Sequence, residues 1–376
     1  MPPLSCATRS QRLIEQLSRA QPGGPPPIDA LLVSDRANIR WLTGFTGSNG
    51  WVVISPQGNV LVTDGRYADQ AEAELAAAGV HCQVVIGYTA AEVQSLVLVS
   101  LAAFSTVGFE ASHMTVAEHQ RWTDGFPGTL APTTGMVERC RRHKDPGEIA
   151  RITLACQIAD ESLAVVGPML GTGATEAQVR NALEVQMRNR GASGPSYETI
   201  VASGPVHAAR PHHQPTDLAI EAGHTVVVDV GALVDGYHSD MTRSFVIGSP
   251  TALQSELYEL VLAAQLAGLA AVRPGALVAD IDAACRNLIA DAGYSSWFSH
   301  GTGHGVGLNI HEDPFIGRAG GFVLEQGDVV TIEPGVYRDG FGGFRVEDLV
   351  VVTSTGGLVL TASPKDSPCL PSPPTI

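Results

Sequence analysis

The sequence predicts an α/β (α+β) chain of two domains, and three observations predict it. Short β-rich runs (DALLV, WVVIS, NVLVTDG) alternate with helical stretches such as ADQAEAELAAAG from residue 28 to about 130. A polar seam, APTTGMVERCRRHKDPGE at 131–148, ends that alternation. Beyond it, two β-branched runs each lead into an acid followed by glycine at +2 and Asp-Gly at +6 and +7: DVGALVDG from Asp229 and EPGVYRDG from Glu333. That echo predicts a second domain of two similar halves, each placing long helices ahead of an antiparallel hairpin.

The elements follow in order. Residues 10–20 read as a short amphipathic helix and QPGGPPP (21–27) as a turn. The alternating runs then form a small sheet carrying helices, giving a first domain over 1–135. Asp145, Pro146 and Glu148 read as N-cap, first-turn proline and box-closing glutamate of a helix running to about Val166. They open a second domain over 140–365. Helical segments at 145–166 and 175–190 precede its first hairpin, and 251–271 and 278–292 precede the second.

Composition removes several function classes. A chain of 376 residues with 44% hydrophobic and 16% charged residues is globular and can bury a large core. A net charge of -15 without a basic patch argues against nucleic acid as partner. Six cysteines with no close pair offer neither a disulfide framework nor a thiolate zinc site, which fits a reducing cytoplasm. The N-terminus lacks an apolar signal region, and LVLVSLAAF (96–104) is too short to span a bilayer. The expectation is a cytoplasmic protein without membrane contact.

The acids of the second domain raise a physical question. TVVVD (225–229) reads as a buried strand, yet a lone buried carboxylate costs several kcal/mol unless it is compensated. Facing residues of an antiparallel hairpin have a constant sum of positions. Setting Asp229 against Asp240 centres the turn between Val234 and Asp235, beside Gly236; setting Glu333 against Glu347 centres it on Gly340. Two such hairpins side by side gather four carboxylates, which is tolerable if cations sit among them.

The segment HGTGHGVGLNIHEDP (300–314) supplies His300, His304 and His311 among glycines that let backbone approach a ligand. One imidazole with four carboxylates is a hard, oxygen-rich set that favours manganese, with cobalt or zinc as alternatives. Two such ions would neutralise the four charges. His207, His213 and His238 read as structural or exposed.

At this point the chain resembles the prolyl-peptidase branch of the creatinase, prolidase and methionine aminopeptidase group. NIRWLTGFTGSNG and VTDGRYADQA resemble that branch's N-terminal domain. IVASGPVHAARPHHQP, VDVGALVDGYHSDMTRSF, HGTGHGVGLNIHEDP, TIEPGVY and FRVEDLVVV resemble its catalytic motifs, in order and at matching spacing. The resemblance implies a creatinase-like N-terminal domain, a C-terminal pita-bread domain with pseudo-twofold halves, and a homodimer.

Carried over by residue, the resemblance implies that Asp229, Asp240, His304, Glu333 and Glu347 bind two metals, with Asp240 and Glu347 bridging. Glu333 would serve as general base and His311 would hydrogen-bond the substrate carbonyl and developing oxyanion. His212 would lie near the scissile bond, His300 would line the proline pocket, and Arg345 would steady the site. One departure is Arg210, where the family usually carries an apolar residue before Pro-His.

Peptides with proline at the second position are the implied substrates. Creatine-type hydrolysis and the silent domains of histone chaperones lose the ligand set that this chain keeps, and methionine aminopeptidases usually lack the N-terminal domain. HEDPFIGRAGG has no arginine directly after the His-Glu-x-Pro motif where dipeptidases carry one. That favours an aminopeptidase P acting on longer peptides, with an Xaa-Pro dipeptidase as the alternative.

Overall fold

The computed structural model describes residues 1–17 and 27–370. The turn expected at 21–27, apart from Pro27, and the end of the first helix fall outside them. Two compact units divide the chain, Pro2–Arg141 and Arg142–Ile376. Among the described residues, no helix is long and apolar enough to cross a membrane.

The first unit is built on one six-stranded sheet. In spatial order its strands are Gln83–Gly87, Gly58–Asp64, Trp51–Ser55, Ala30–Val33, Thr106–Glu110 and Thr129–Thr133. Trp51–Ser55 and Gly58–Asp64 form an antiparallel hairpin, whereas Ala30–Val33, Thr106–Glu110 and Thr129–Thr133 run parallel. The central strand Ala30–Val33 is apolar throughout and fully buried because helices cover the sheet. The apolar stretch around 96–104 is one of those covers: Val93, Val97 and Leu101 of helix Ala90–Leu101 pack on Ala30, Val53 and Val107.

The second unit shows the two halves that the echo predicted, each with its own core. Helices Pro146–Val166 and Glu176–Asn189 pack on the sheet of Ile200–Ser203, Thr225–Asp229 and Thr242–Val246. Helices Ala252–Ala271 and Val278–Asp291 pack on the sheet containing Val329–Ile332 and Asp348–Val352. Asp145 caps Pro146–Val166 in a closed capping box with Glu148, as its sequence predicts. The halves are stitched strand to strand: Ser244 Oγ donates to Arg345 O (2.8 Å) and accepts from Arg345 N (2.9 Å), while Glu347 N donates to Thr242 O (3.2 Å).

The registers differ in one respect from expectation. In the second half Ile332 pairs with Asp348 and Gly335 with Arg345, so Glu333 and Glu347 fall opposite each other and the turn centres on Gly340. In the first half Asp229 pairs with Thr242, not Asp240. The turn there takes Asp235 (φ 48°) and Gly236 (φ 74°) as its two central residues, and this left-handed pair moves the centre by one position. Asp240 is therefore a diagonal neighbour of Asp229, still within reach across a twisted ribbon.

Candidate metal centre

Asp229 ends one strand, Glu333 directly follows another and Glu347 directly precedes a third, while Asp240 lies in the short link before Thr242–Val246. Val226, Val227 and Val228 are buried and deliver Asp229; Val329, Val330 and Ile332 are buried and deliver Glu333. Asp240 and Glu347 are themselves buried, at 5% and 2% exposure. His304 lies on the short strand Gly303–Gly305 between two neighbours. A Cβ at Gly303 would stand 2.0 Å from Thr331 O, and one at Gly305 would stand 2.5 Å from Asp313 O. Only glycine on both sides lets the strand bring His304 into place, which accounts for the glycine spacing.

The five residues converge. His304 Nε2 lies 3.4 Å from Asp240 Oδ2 and 3.4 Å from Glu333 Oε1. Ligand-capable atoms of Asp240, His304 and Glu347 all fall within 4.8 Å of one another. His304 Nδ1 donates to Gly305 O (3.0 Å), which turns Nε2 toward the acids. Thr331 Oγ1 donates to Glu333 (3.1 Å) and Thr242 Oγ1 to Glu347 (2.6 Å), fixing both carboxylates.

Arg345 spans the cluster. Nη2 donates to Asp229 Oδ2 at 2.6 Å, Nε to Thr242 Oγ1 at 2.9 Å, and Nη1 to Tyr337 Oη (2.8 Å) and Pro211 O (3.0 Å). Tyr337 Oη also pairs with His300 Nε2 at 3.0 Å. Arg345, His300 and Asp229 are thus joined in one hydrogen-bonded chain. His311 is exposed, with its ring 4.4 Å from that of His304 and nearly perpendicular to it. His212 is exposed as well, between Pro211 and the buried His213.

Electrostatics show what the site lacks. Burial raises the Asp229 carboxyl to about 6, against the lowering effect of Arg345 and with Asp240 adding to the rise. Burial lifts Glu333, opposed by His304 and Arg345; burial lifts Glu347 far above the usual carboxylate range, with Asp240, Glu333 and Asp229 adding to it. Burial pushes His304 down, but its hydrogen bond to Asp240 and the charge of Glu333 outweigh it and raise it to about 9. His300 is lowered to about 4, chiefly by burial, and is neutral at pH 7. The guanidinium of Arg345 and the imidazolium of His304 together do not balance four acids, so the donor set fits divalent cations.

Sequence reasoning missed Tyr197. Its hydroxyl donates to Asp229 Oδ1 and lies 2.5 Å from Asp240 Oδ1. Burial first, then the charges of Asp229 and Asp240, hold the phenol protonated. One hydroxyl proton cannot serve two carboxylates at once, so a further proton or a cation belongs between them. An uncharged residue in GPSYET carries no charge pattern, and only its phenol near the start of Ile200–Ser203 was there to read.

Comparison with known proteins places this geometry. Residues 150–354 match metallopeptidase family M24, and residues 9–143 match the creatinase/prolidase N-terminal domain. The chain is 33% identical to an Xaa-Pro dipeptidase of Pyrococcus horikoshii over 347 residues, 90% of this chain and 94% of that protein. It superposes on an Xaa-Pro dipeptidase from Bacillus anthracis with a TM-score of 0.90 at 36% identity, covering 95% of this chain and 98% of that one. An X-Pro aminopeptidase from Thermotoga maritima matches with a TM-score of 0.85 at 31% identity, over 95% and 99% of the two chains.

Proposed function

We propose that this chain, which belongs to metallopeptidase family M24 and carries the creatinase/prolidase N-terminal domain, is an Xaa-Pro dipeptidase. The observation that carries the reading is the buried convergence of Asp240, His304 and Glu347 within the region matching that family. The relatives' names favour the dipeptidase over the aminopeptidase P toward which HEDPFIGRAGG pointed. Cleavage of longer peptides remains the second reading, supported by the X-Pro aminopeptidase among the solved neighbours.

In this reading Asp229, Asp240, His304, Glu333 and Glu347 hold two divalent cations, manganese in the first place and cobalt or zinc as alternatives. Bound there, such a pair acidifies a water toward a pKa of about 7 and so supplies the nucleophile. Glu333, steadied by Thr331, takes the water's proton and passes it toward the leaving proline nitrogen. His311 donates to the developing oxyanion. Asp229 faces the free amine of the substrate, His300 and Tyr337 line the proline side, and His212 lies along the peptide. Arg345 keeps Asp229 and Tyr337 in register. A cytoplasmic homodimer is the proposed working form, supported by the match to the N-terminal domain.

The test is release of alanine from Ala-Pro and from Ala-Pro-Ala by the manganese-loaded protein, with Gly-Ala as control. Turnover of Ala-Pro alone is the expected result. Preference for Ala-Pro-Ala replaces the dipeptidase reading with the second one, and cleavage of Gly-Ala at the same rate ends both.

A further inference from the structure

A second carboxylate and imidazole cluster lies apart from the candidate metal centre. Glu176, His207 and His213 bring ligand-capable atoms within 4.8 Å of one another. Glu176 is the first residue of helix Glu176–Asn189, and its side chain is fully buried. Its Oε1 accepts from Ser203 N (2.7 Å), Ser203 Oγ (2.9 Å) and His207 Nδ1 (3.0 Å). Its Oε2 accepts from Thr216 N (3.1 Å), Thr216 Oγ1 (3.0 Å) and His213 Nε2 (3.1 Å).

These donors saturate the roughly four lone-pair sites of a carboxylate. The two imidazoles stack with centroids 4.1 Å apart and 26° between planes, so their N–H edges lie side by side. That arrangement suits two hydrogen bonds to one anion and not two bonds converging on one ion. Burial alone raises the Glu176 carboxyl, but the hydrogen bonds from Thr216, His207, His213 and Ser203 outweigh it and keep the group below its usual range. The helix N-terminus adds to the same effect.

The donors come from the start, middle and end of one segment, 203–216, and that segment carries His212. On the other side of His212, the carbonyl of Pro211 accepts from Arg345 Nη1 at 3.0 Å. The segment is therefore pinned twice, by Glu176 from the helix and by Arg345 from the acid cluster, with the exposed His212 between the pins. An exposed side chain has few packing contacts to aim it, so its backbone must do so.

We propose that Glu176 is a positioning residue for His212, acting through His207, His213, Ser203 and Thr216. The inference rests on the reading above, in which His212 lies along the bound peptide. Glu176→Gln turns one acceptor oxygen into an amide that faces donors, so the segment loses its anchor without losing side-chain volume.

The experiment is a double-mutant cycle on kcat/KM for Ala-Pro with the metal-loaded protein, using Glu176→Gln, His212→Ala and both together. Glu176→Gln is expected to lower kcat/KM by up to about a hundredfold, the scale of an ångström misplacement. Metal content should stay that of the unmodified protein. In the Glu176→Gln background, His212→Ala should then cost far less than it does alone. A residue that merely stabilised the fold would leave the His212→Ala factor unchanged, and that result, or full activity of Glu176→Gln, overturns the proposal. An unimpaired His212→Ala protein instead removes the underlying reading of His212. Should Glu176→Gln not fold, the same cycle is run with Thr216→Val, which deletes one hydroxyl donor; there a coupled loss supports the anchor and independent losses overturn it.

Discussion

Tyr197 Oη lies between Asp229 and Asp240, 2.5 Å from the Oδ1 of Asp240, so two acids compete for one phenol proton. The hydroxyl orients both carboxylates toward the interior of the cluster and leaves a place there that calls for positive charge. Tyr197→Phe removes this orienting contact without removing a ligand. Metal affinity is expected to fall by about 10–100-fold, the usual cost of losing an outer-shell partner. Competition with a chromogenic chelator measures it, and an unchanged affinity would show that the acids hold their positions without the phenol.

Asp240→Asn separates a ligand from a structural residue. The substitution keeps the shape but removes one of four clustered charges. Without metal, the variant should be no less stable than the unmodified protein, because mutual repulsion falls. With manganese present it should gain far less stability than the unmodified protein, since stabilisation by a ligand follows its affinity. Thermal unfolding with and without metal decides; equal destabilisation in both states would make Asp240 structural.

His311→Ala is expected to lower kcat by about 10²–10³, the cost of losing one oxyanion donor. Metal content should be unaltered, because His304 and not His311 faces Asp240 and Glu333. Elemental analysis beside kinetics separates the roles, and metal loss in this variant would make His311 a ligand.

The acid cluster of the apo protein should contribute less stability as pH rises. Asp229 is raised to about 6, Glu333 and Glu347 are raised, and His304 is raised to about 9. Each binds protons more tightly folded than unfolded, so its stabilising effect is complete below its unfolded pKa and lost as pH climbs through the folded one. His300, lowered to about 4, and His311, lowered by burial, act in the opposite sense, but neither is a metal ligand in this reading, so the comparison of loaded with chelated protein isolates the four. Divalent cations replace those protons, so the gap in unfolding temperature between loaded and chelated protein should widen from pH 5 to 9. A gap that stays constant or narrows contradicts this.

Removing metal should abolish peptide hydrolysis, and manganese or cobalt should restore it. Full-rate turnover by protein shown to be metal-free by elemental analysis would defeat the dinuclear reading.

Much of the fold was legible because its signals are local. The capping box at Asp145 and Glu148, the β-branched runs and the Asp-Gly turns depend on neighbours in sequence, and helix Pro146–Val166 and strand Thr225–Asp229 appear where those signals lie. The second hairpin could be registered by counting outward from Gly340. The first could not be placed as well, since only the left-handed backbone at Asp235 and Gly236 fixes its centre. Four acids and the glycine-flanked His304 stood out because carboxylates beside valines are costly and glycines on both sides of a histidine have a purpose.

Tertiary structure decided the rest. Tyr197 and Thr242 are ordinary residues in the sequence, and they orient Asp240 and Glu347 only because folding brings distant strands together. Arg345 reaches Asp229 and Pro211 only because the two halves are stitched along Thr242–Val246. His207 and His213 read as structural from sequence. Which carboxylate they serve depends on Glu176, some 30 residues upstream on a different element. Local chemistry in the sequence determined which groups the protein carries and which strands bury them. Hydrogen bonds between residues far apart in sequence determined where those groups point, because no local pattern records the donor that a buried carboxylate will meet.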